Sequence, residues 1–435
     1  MLVATAGLVA AIGLSSAVLR SPGARPAPVE VRAEGSRDPN AAPTGPVDGG
    51  APSSTVPSST SSPSASSTTA TTTAAHPTST TNLRPTTTTA PTTTTTGFAC
   101  ARTEPQFAFA VLLLSESVGW AAGGHPALQR SSDGGRTWTP ACLQADAVTG
   151  SGSFFGVAFA TDGRHGWATG GTSQRPLALR TIDGGEHWLA STLPTDLTGN
   201  LGGVSFPDTS HGWTVGSRLG TGPANAAGGY VLATADGGRT WATQPVPPDV
   251  ARLNRVVFPD TRHGWAVGVA SDGRPALIAT ADGGATWAHQ TLPPRVRTLR
   301  DVAFRDAQQG WAVGNLDGEP GQDPKGVVLA TSDGGRTWTH QATTARDLWT
   351  LAVVDGDTVF AGGGYGLWST RDGGATWSEQ RFALPALDAI TFVDATRGWV
   401  THSMFSAVCR TDDGGRTWTA SDIRPGRTPA VACTP

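Results

Sequence analysis

The sequence predicts an all-β fold, a seven-bladed propeller of four-stranded antiparallel blades, and three observations carry that prediction. First, one short segment returns seven times: RSSDGGRTWTP, RTIDGGEHWLA, ATADGGRTWAT, ATADGGATWAH, ATSDGGRTWTH, STRDGGATWSE and RTDDGGRTWTA. Second, its aspartates, Asp133, Asp183, Asp236, Asp282, Asp333, Asp372 and Asp413, stand 50, 53, 46, 51, 39 and 41 residues apart, the period of a four-stranded blade. Third, the residues between copies form short apolar or alternating runs bounded by Gly, Pro or Asp, with no convincing helical period.

Each strand of the unit can be justified in turn, taking the fifth copy as the example. Strand A is LRDVAFRD, B is GWAVG, C is GVVLATS and D is TWTHQA. Strand B opens on a second recurring mark, as in HGWATGG, HGWTVGS and HGWAVGV; blade 6 departs from it with VFAGGG. Together the two marks account for 13 of the 15 tryptophans. In SDGGRTW the aspartate accepts hydrogen bonds from N–H groups further round the turn, and the glycines supply positive φ. Thr re-enters a strand and Trp packs beneath the hairpin, so the segment is a self-capping C–D turn and its aspartates are structural.

This signature matches the Asp-box, or BNR repeat, pattern S/T-x-D-x-G-x-T-W of sialidases, xyloglucanases and sortilin-like receptors. The fuller pattern F-x-D, GW-x-VG, L-x-T-x-DGG-x-TW resembles the photosystem II stability/assembly factor family over about residues 102 to 422. The resemblance implies a seven-bladed propeller of the sialidase-like superfamily and a role in assembly. In Asp-box families the box lies on the rim away from catalytic residues, which agrees with the architectural role.

Outside the repeats, residues 1–20 open with MLVATAGLVAAIGLSSAVL, uncharged and just long enough for one bilayer-spanning helix. The segment reads as a signal peptide or a membrane anchor: Ser15 and Ala17 suit a cleavage site, and the length also suits retention. Residues 21–97 are rich in Thr, Ser and Pro and poor in side chains that could form a core, so a disordered linker is expected. As a flexible coil that linker would span roughly 50 Å. The propeller then occupies 98–435, and the protein is expected outside the cytoplasm, secreted or anchored to the outer face of the cell membrane.

The four cysteines, Cys100, Cys142, Cys409 and Cys433, suit an oxidising compartment and fall near the two ends of the propeller, where they would staple its closing seam. The favoured pairs are Cys100 with Cys142 and Cys409 with Cys433, the rival being Cys100 with Cys433. A net charge of −3 removes the electrostatic basis for nucleic-acid binding, and Lys325 is the only lysine, so chemistry that needs one is absent. No cofactor or metal is called for, and a monomer is expected. The nearest approach to a cation site, Asn315, Asp317, Glu319 and Asp323 in one acidic loop, lacks EF-hand spacing.

A ligand should be met where the repeats disagree. The long insertions at 143–156, 216–230 and 314–326 fall on the face opposite the DGG turns. On that face each strand A begins with a residue that changes in size and charge from blade to blade: Phe155, Gly202, Asn254, Arg300, Trp349 and Asp388, with Arg255 and Asp301 adjacent. These suit a binding site with an aromatic platform and hydrogen-bonding groups. Arg130, Arg180 and Arg410, each three residues before a DGG aspartate in blades 1, 2 and 7, form an arc suited to an acidic partner or to inter-blade ion pairs. The histidines before GW, His165, His211 and His263, read as turn residues.

A sialidase would need a tyrosine nucleophile beside a glutamate, with an arginine triad; only Tyr230 and Tyr365 exist and F/Y-R-I-P is missing. A glycoside hydrolase would need two carboxylates, one with a raised pKa, and Asp301 with Asp388 is the only pair at the mouth. The sequence therefore favours a non-enzymatic binding or scaffold propeller that recognises a protein or cell-surface glycan, with the hydrolase as the alternative and membrane contact through residues 1–20 alone.

Overall fold

In the computed structural model the described residues are 98–100 and most of 108–424, with short gaps at 125–126, 145–151, 173–174, 219–227, 319–323, 365, 383–385 and 403–405, together with Arg427 and Cys433. The expected leader, linker and long insertion tips lie outside them, wholly or in part. Seven antiparallel sheets form a ring, each built from consecutive strands in the order A-B-C-D from the axis outward.

Seven hydrophobic clusters, one at each junction between neighbouring blades, form the core of the described residues. The recurring aromatics build them. Trp167, Trp213 and Trp265 of strand B stack on Phe206, Phe258 and Phe304 of the next blade at 3.4, 3.7 and 3.5 Å. The DGG tryptophans Trp241, Trp287 and Trp338 meet those same phenylalanines edge-on. Blade 6, which lacks the GW mark, replaces the indole with Phe360, stacked on Phe392 at 3.8 Å.

The DGG segment does more than close a hairpin. In blade 5 the Thr331 hydroxyl donates to Asp333 at 2.8 Å and accepts from the Gly335 N–H at 2.9 Å. Asp333 in turn accepts from the N–H and hydroxyl of Thr337 at 2.9 and 2.6 Å. The Gly334 N–H reaches the A–B turn of its own blade at Gln308 O, 2.8 Å, and its carbonyl accepts from Trp265 Nε1 of the preceding blade at 3.2 Å. Gly335, at φ 83°, tolerates no side chain: a Cβ there would stand 2.9 Å from that same Nε1. Blade 2 substitutes His187 for the threonine, its ring nitrogen meeting Asp183 at 2.9 Å.

These bonds make the fold acid-sensitive. The hydroxyl and N–H of Thr286, with the Thr280 hydroxyl, hold the Asp282 carboxyl down at about 2, and Asp333 is held at about 2 by Thr337 in the same way. A carboxylate depressed in the folded ring binds its proton more weakly there than in the unfolded chain, so its contribution is present above the unfolded value and is lost as pH falls through the folded one. Melting temperature is therefore expected to hold steady down to about pH 4 and to fall between about pH 4 and 2. An Asp282→Asn variant, already lacking one such group, should show a shallower fall over that window in a pH series of thermal melts.

Three features depart from the regular unit. Blade 2 gains two outer strands: Cys142–Gln144 runs parallel to His187–Ala190, and Phe98–Cys100 pairs antiparallel with Cys142–Gln144. The chain leaving blade 1 thus covers an edge that would otherwise stand open. Second, the favoured Cys409–Cys433 pair forms, but not as a staple across the seam between blades 7 and 1. Cys409 bonds Cys433 and so pins the C-terminal tail to blade 7, while Cys142, itself disulfide-bonded, lies opposite Cys100 on the outer edge of blade 2. The seam between blades 7 and 1 is instead held by packing, Trp399 edge-on to Trp138 at 5.2 Å, and by the bond from Trp138 Nε1 to Ser421 at 3.3 Å.

The third departure is Gln129. It occupies the strand C position held elsewhere by Leu179, Leu232, Ile278 and Leu329, pairs with Ala121 on the seam-facing side, and is 1% exposed with neither amide atom bonded among the described residues. A buried amide without partners is costly. Gln129→Leu should raise stability by about 1–3 kcal/mol, read as an upward shift of the urea midpoint at constant slope.

Candidate binding site at the channel mouth

Every strand A presents its free edge to the central channel, which leaves backbone groups to be satisfied by other means. Polar side chains of neighbouring blades supply them. Thr169 donates to Gly202 O at 2.7 Å, Ser205 accepts from Phe258 N at 3.0 Å, and Thr391 accepts from Leu113 N at 3.4 Å.

In six blades strand A also carries a register shift at the same height: Ala108/Ala110, Phe154/Gly156, Leu201/Val204, Leu253/Arg255, Leu299/Asp301 and Leu348/Thr350. The residue before each shift is buried between blades. The residue at the shift is the one a bulge re-aims, here toward the mouth. The expected positions Phe155, Gly202, Asn254, Arg300 and Trp349 are these bulge residues, and Asp388 stands at the corresponding place, just before strand A of blade 7. The blade 1 counterpart, Phe109, was not anticipated. Only the alternation FAFA hints at it, and its ring lies 5.4 Å from Phe155.

The mouth is asymmetric. Blades 1 and 2 offer the Phe109–Phe155 pair; blades 4 to 6 offer Arg252, Arg300, Trp349 and Asp347. Trp349 Nε1 donates to Asp347 at 2.5 Å. Burial, then the neighbouring Arg252 guanidinium, lowers the Arg300 pKa, with Asp347 acting the other way. The Nε groups of both arginines are buried and have no hydrogen-bond partner among the described residues.

One residue further in, Arg255 and Asp301 meet within the channel, Nε to Oδ1 at 3.7 Å. Arg255 Nη1 reaches across to Phe155 O at 3.3 Å. Asp301 accepts from Val302 N at 2.9 Å and from Leu351 N of blade 6 at 3.0 Å. Burial pushes its carboxyl up, against the opposing pull of Arg255 and these hydrogen bonds. Asp301 therefore caps two backbone N–H groups and braces blades 5 and 6. Asp388, half-buried in blade 7, is two blades away.

Arg130, Arg180 and Arg410 lie beside the DGG hairpins, on the opposite face from the mouth. Arg130 pairs across a blade junction with Glu186 at 2.5 Å, Arg410 pairs with Asp412 at 2.5 Å, and Arg180 faces Arg239 and Asp236 of blade 3. The histidines before GW cap their own turns: His165 to Asp162 at 2.6 Å, His211 to Asp208 and His263 to Asp260 at 2.9 Å. Tyr230 is buried, which pushes its phenol up to about 12, and it is no nucleophile at neutral pH. Of the acidic loop, Asn315 and Asp317 are described and Glu319 and Asp323 are not; among the described residues no three His, Cys, Asp or Glu side chains converge on a cation site.

A cleft of about 760 Å³ at the junction of blades 4 and 5, lined by the Asp249–His289 pair (2.8 Å), the Asp272–Arg274 pair (2.6 Å) and Arg297, has no sequence signal at all. Its residues come from loops that no pattern links.

No protein-family model and no curated protein matches the sequence. Solved structures do match in fold. A structure described as YCF48 bound to D1 peptide is 20% identical, covering 71% of this chain and 93% of that one, with a TM-score of 0.51. YCF48 from Cyanidioschyzon merolae is 18% identical over 74% of this chain and 99% of that one, with a TM-score of 0.52. The GH74 xyloglucanase from Xanthomonas campestris is 15% identical with a TM-score of 0.57; the match covers 76% of this chain and 56% of that enzyme. The fold is that of the photosystem II assembly factor-like propellers that the repeat resembles.

Proposed function

We propose that this chain is a binding or assembly-scaffold propeller that holds a polypeptide partner at the channel mouth, with a cell-surface glycan as the other ligand class the mouth could take. The observation that carries this reading is the bulge ring. It is the set of equivalent positions at which the blades diverge in chemistry, pairing the Phe109 and Phe155 rings in blades 1 and 2 and placing Arg300, beside Arg252, and Trp349 in blades 5 and 6. Interfaces draw their energy from such aromatic and arginine anchors. The likeness to a propeller solved with a bound peptide supports it. Residues 1–20 and 21–97 would hold the propeller, as a monomer, outside the cytoplasmic membrane.

The test is affinity capture from a cell-envelope extract with the wild-type chain and with Arg300→Ala/Trp349→Ala. Partners retained by the first and lost by the second support the reading; identical capture by both overturns it. The hydrolase reading rests on the raised Asp301 carboxyl and on the GH74 likeness. Release of reducing sugar from soluble polysaccharide by the wild type, lost in a folded Asp388→Asn variant, would replace the binding reading with that one.

A further inference from the structure

We infer that the channel neck just inside the mouth is a subsite for one side chain of the bound polypeptide, and that it selects a carboxamide, Asn or Gln. This rests on the mouth being a polypeptide-binding site. A cavity of about 180 Å³ opens on the axis, bordered by all seven blades. That volume suits a single side chain.

The neck wall is chemically one-sided. Blades 1, 2, 3 and 7 contribute Ala110, Gly156, Gly203 and Ala389, which offer no polar side chain. Blades 4, 5 and 6 contribute Arg255, Asp301 and Thr350. Asp301 Oδ2 accepts from Leu351 N at 3.0 Å, and the Thr350 hydroxyl lies close enough to help hold the carboxylate ionised. Oδ1 accepts one good bond, from Val302 N, while Arg255 Nε at 3.7 Å is too distant to fill its second lone pair. Arg255 spends Nη1 on Phe155 O, and Nη2 meets no acceptor among the described residues. The pair therefore presents one unused donor and one unused acceptor side by side, with no net charge.

A ligand carboxylate would satisfy the donor but bring an anion against Asp301, and an ammonium would do the reverse against Arg255. A carboxamide supplies its oxygen to Arg255 Nη2 and its N–H to Asp301 Oδ1, and both groups are then paired. Sites built to hydrogen-bond a polar group reject analogues that lack it, because the site's own groups are left unpaired.

A phage-displayed random heptapeptide library panned on the immobilised full chain tests this. Wild-type panning should enrich peptides with Asn or Gln at one fixed position, and replacing that residue by norleucine should weaken binding at least tenfold. Panning on Arg255→Lys, which keeps the charge but loses the planar fork, should remove the Asn/Gln preference. Panning on Asp301→Asn, which exchanges the acceptor for a donor, should shift the preference to Asp or Glu. Melting curves establish that each variant is folded, and either variant alone suffices. Enriched peptides that depend on Arg300 and Trp349 but carry no Asn/Gln preference, or an unchanged preference on both variants, overturn the neck subsite and leave the mouth reading standing. Absence of any peptide sensitive to Arg300→Ala/Trp349→Ala overturns both.

Discussion

Trp213→Ala should lower the stability of the propeller by about 3–5 kcal/mol, the range for removing a buried aromatic from a packed core. The indole is buried, stacks on Phe258 of the next blade and donates from Nε1 to Gly283 O at 3.1 Å, so its loss opens a cavity and leaves that hairpin carbonyl with Gln244 Nε2, at 2.9 Å, as its donor. Because blades contact only their neighbours, the damage should fall on the junction of blades 3 and 4 first. A urea titration followed by tryptophan fluorescence would show a lower midpoint, and hydrogen exchange would show early opening in strands of those two blades. Trp349→Ala is the control. Its ring is half-buried at the mouth and its polar contact among the described residues is with Asp347, so its removal should move the midpoint little while abolishing partner capture. A large stability loss for Trp349→Ala, or a negligible one for Trp213→Ala, would reverse the division between repeated architecture and unrepeated recognition.

That division explains what could be read in advance. The DGG aspartates and the GW tryptophans are legible because each blade poses the same problem, and the same few residue types solve it. Where blade 6 swaps tryptophan for Phe360, stacking against Phe392 preserves the junction and the repeat remains recognisable. The variable mouth residues were visible as disagreement between copies, but not the reason for it. A bulge leaves its extra residue without a pairing partner, so nothing constrains the side chain and no residue type announces the shift. Phe109 stayed hidden for that reason.

Long-range pairing was the other blind spot. The favoured pairing of Cys100 with Cys142 brought PACLQ and GFAC together, but nothing in either segment signals that they lie side by side as outer strands of blade 2. The three arginines grouped by ring position serve local ion pairs and blade junctions near the hairpins, because a position near strand C's end points toward the next blade rather than toward the axis. Arg255 and Asp301 were identified as neighbours of the mouth; their role as a cross-brace required knowing which backbone groups the free inner edges leave unsatisfied.

Removing one member of that brace should be the most damaging change at the axis. Arg255→Met leaves Asp301 in the channel with two backbone donors and no countercharge, and a buried pair broken from one side costs about 3–5 kcal/mol. The double variant Arg255→Met/Asp301→Asn should recover part of the loss, so that the two single changes are not additive. The pH dependence supplies an independent check. The Asp301 carboxyl, already pushed up by burial, rises further once Arg255 is gone. A carboxyl raised in the folded state binds its proton more tightly there than in the unfolded chain, so the penalty is absent below the unfolded value and grows as pH rises through the folded one. The stability gap between wild type and Arg255→Met should therefore be widest at neutral pH and narrow on mild acidification, before the DGG carboxylates begin to titrate. A gap that stays constant from neutral pH to about pH 4.5 would mean that the guanidinium acts by packing and by its bond to Phe155 O, and that the charge of Asp301 is carried by its backbone donors alone.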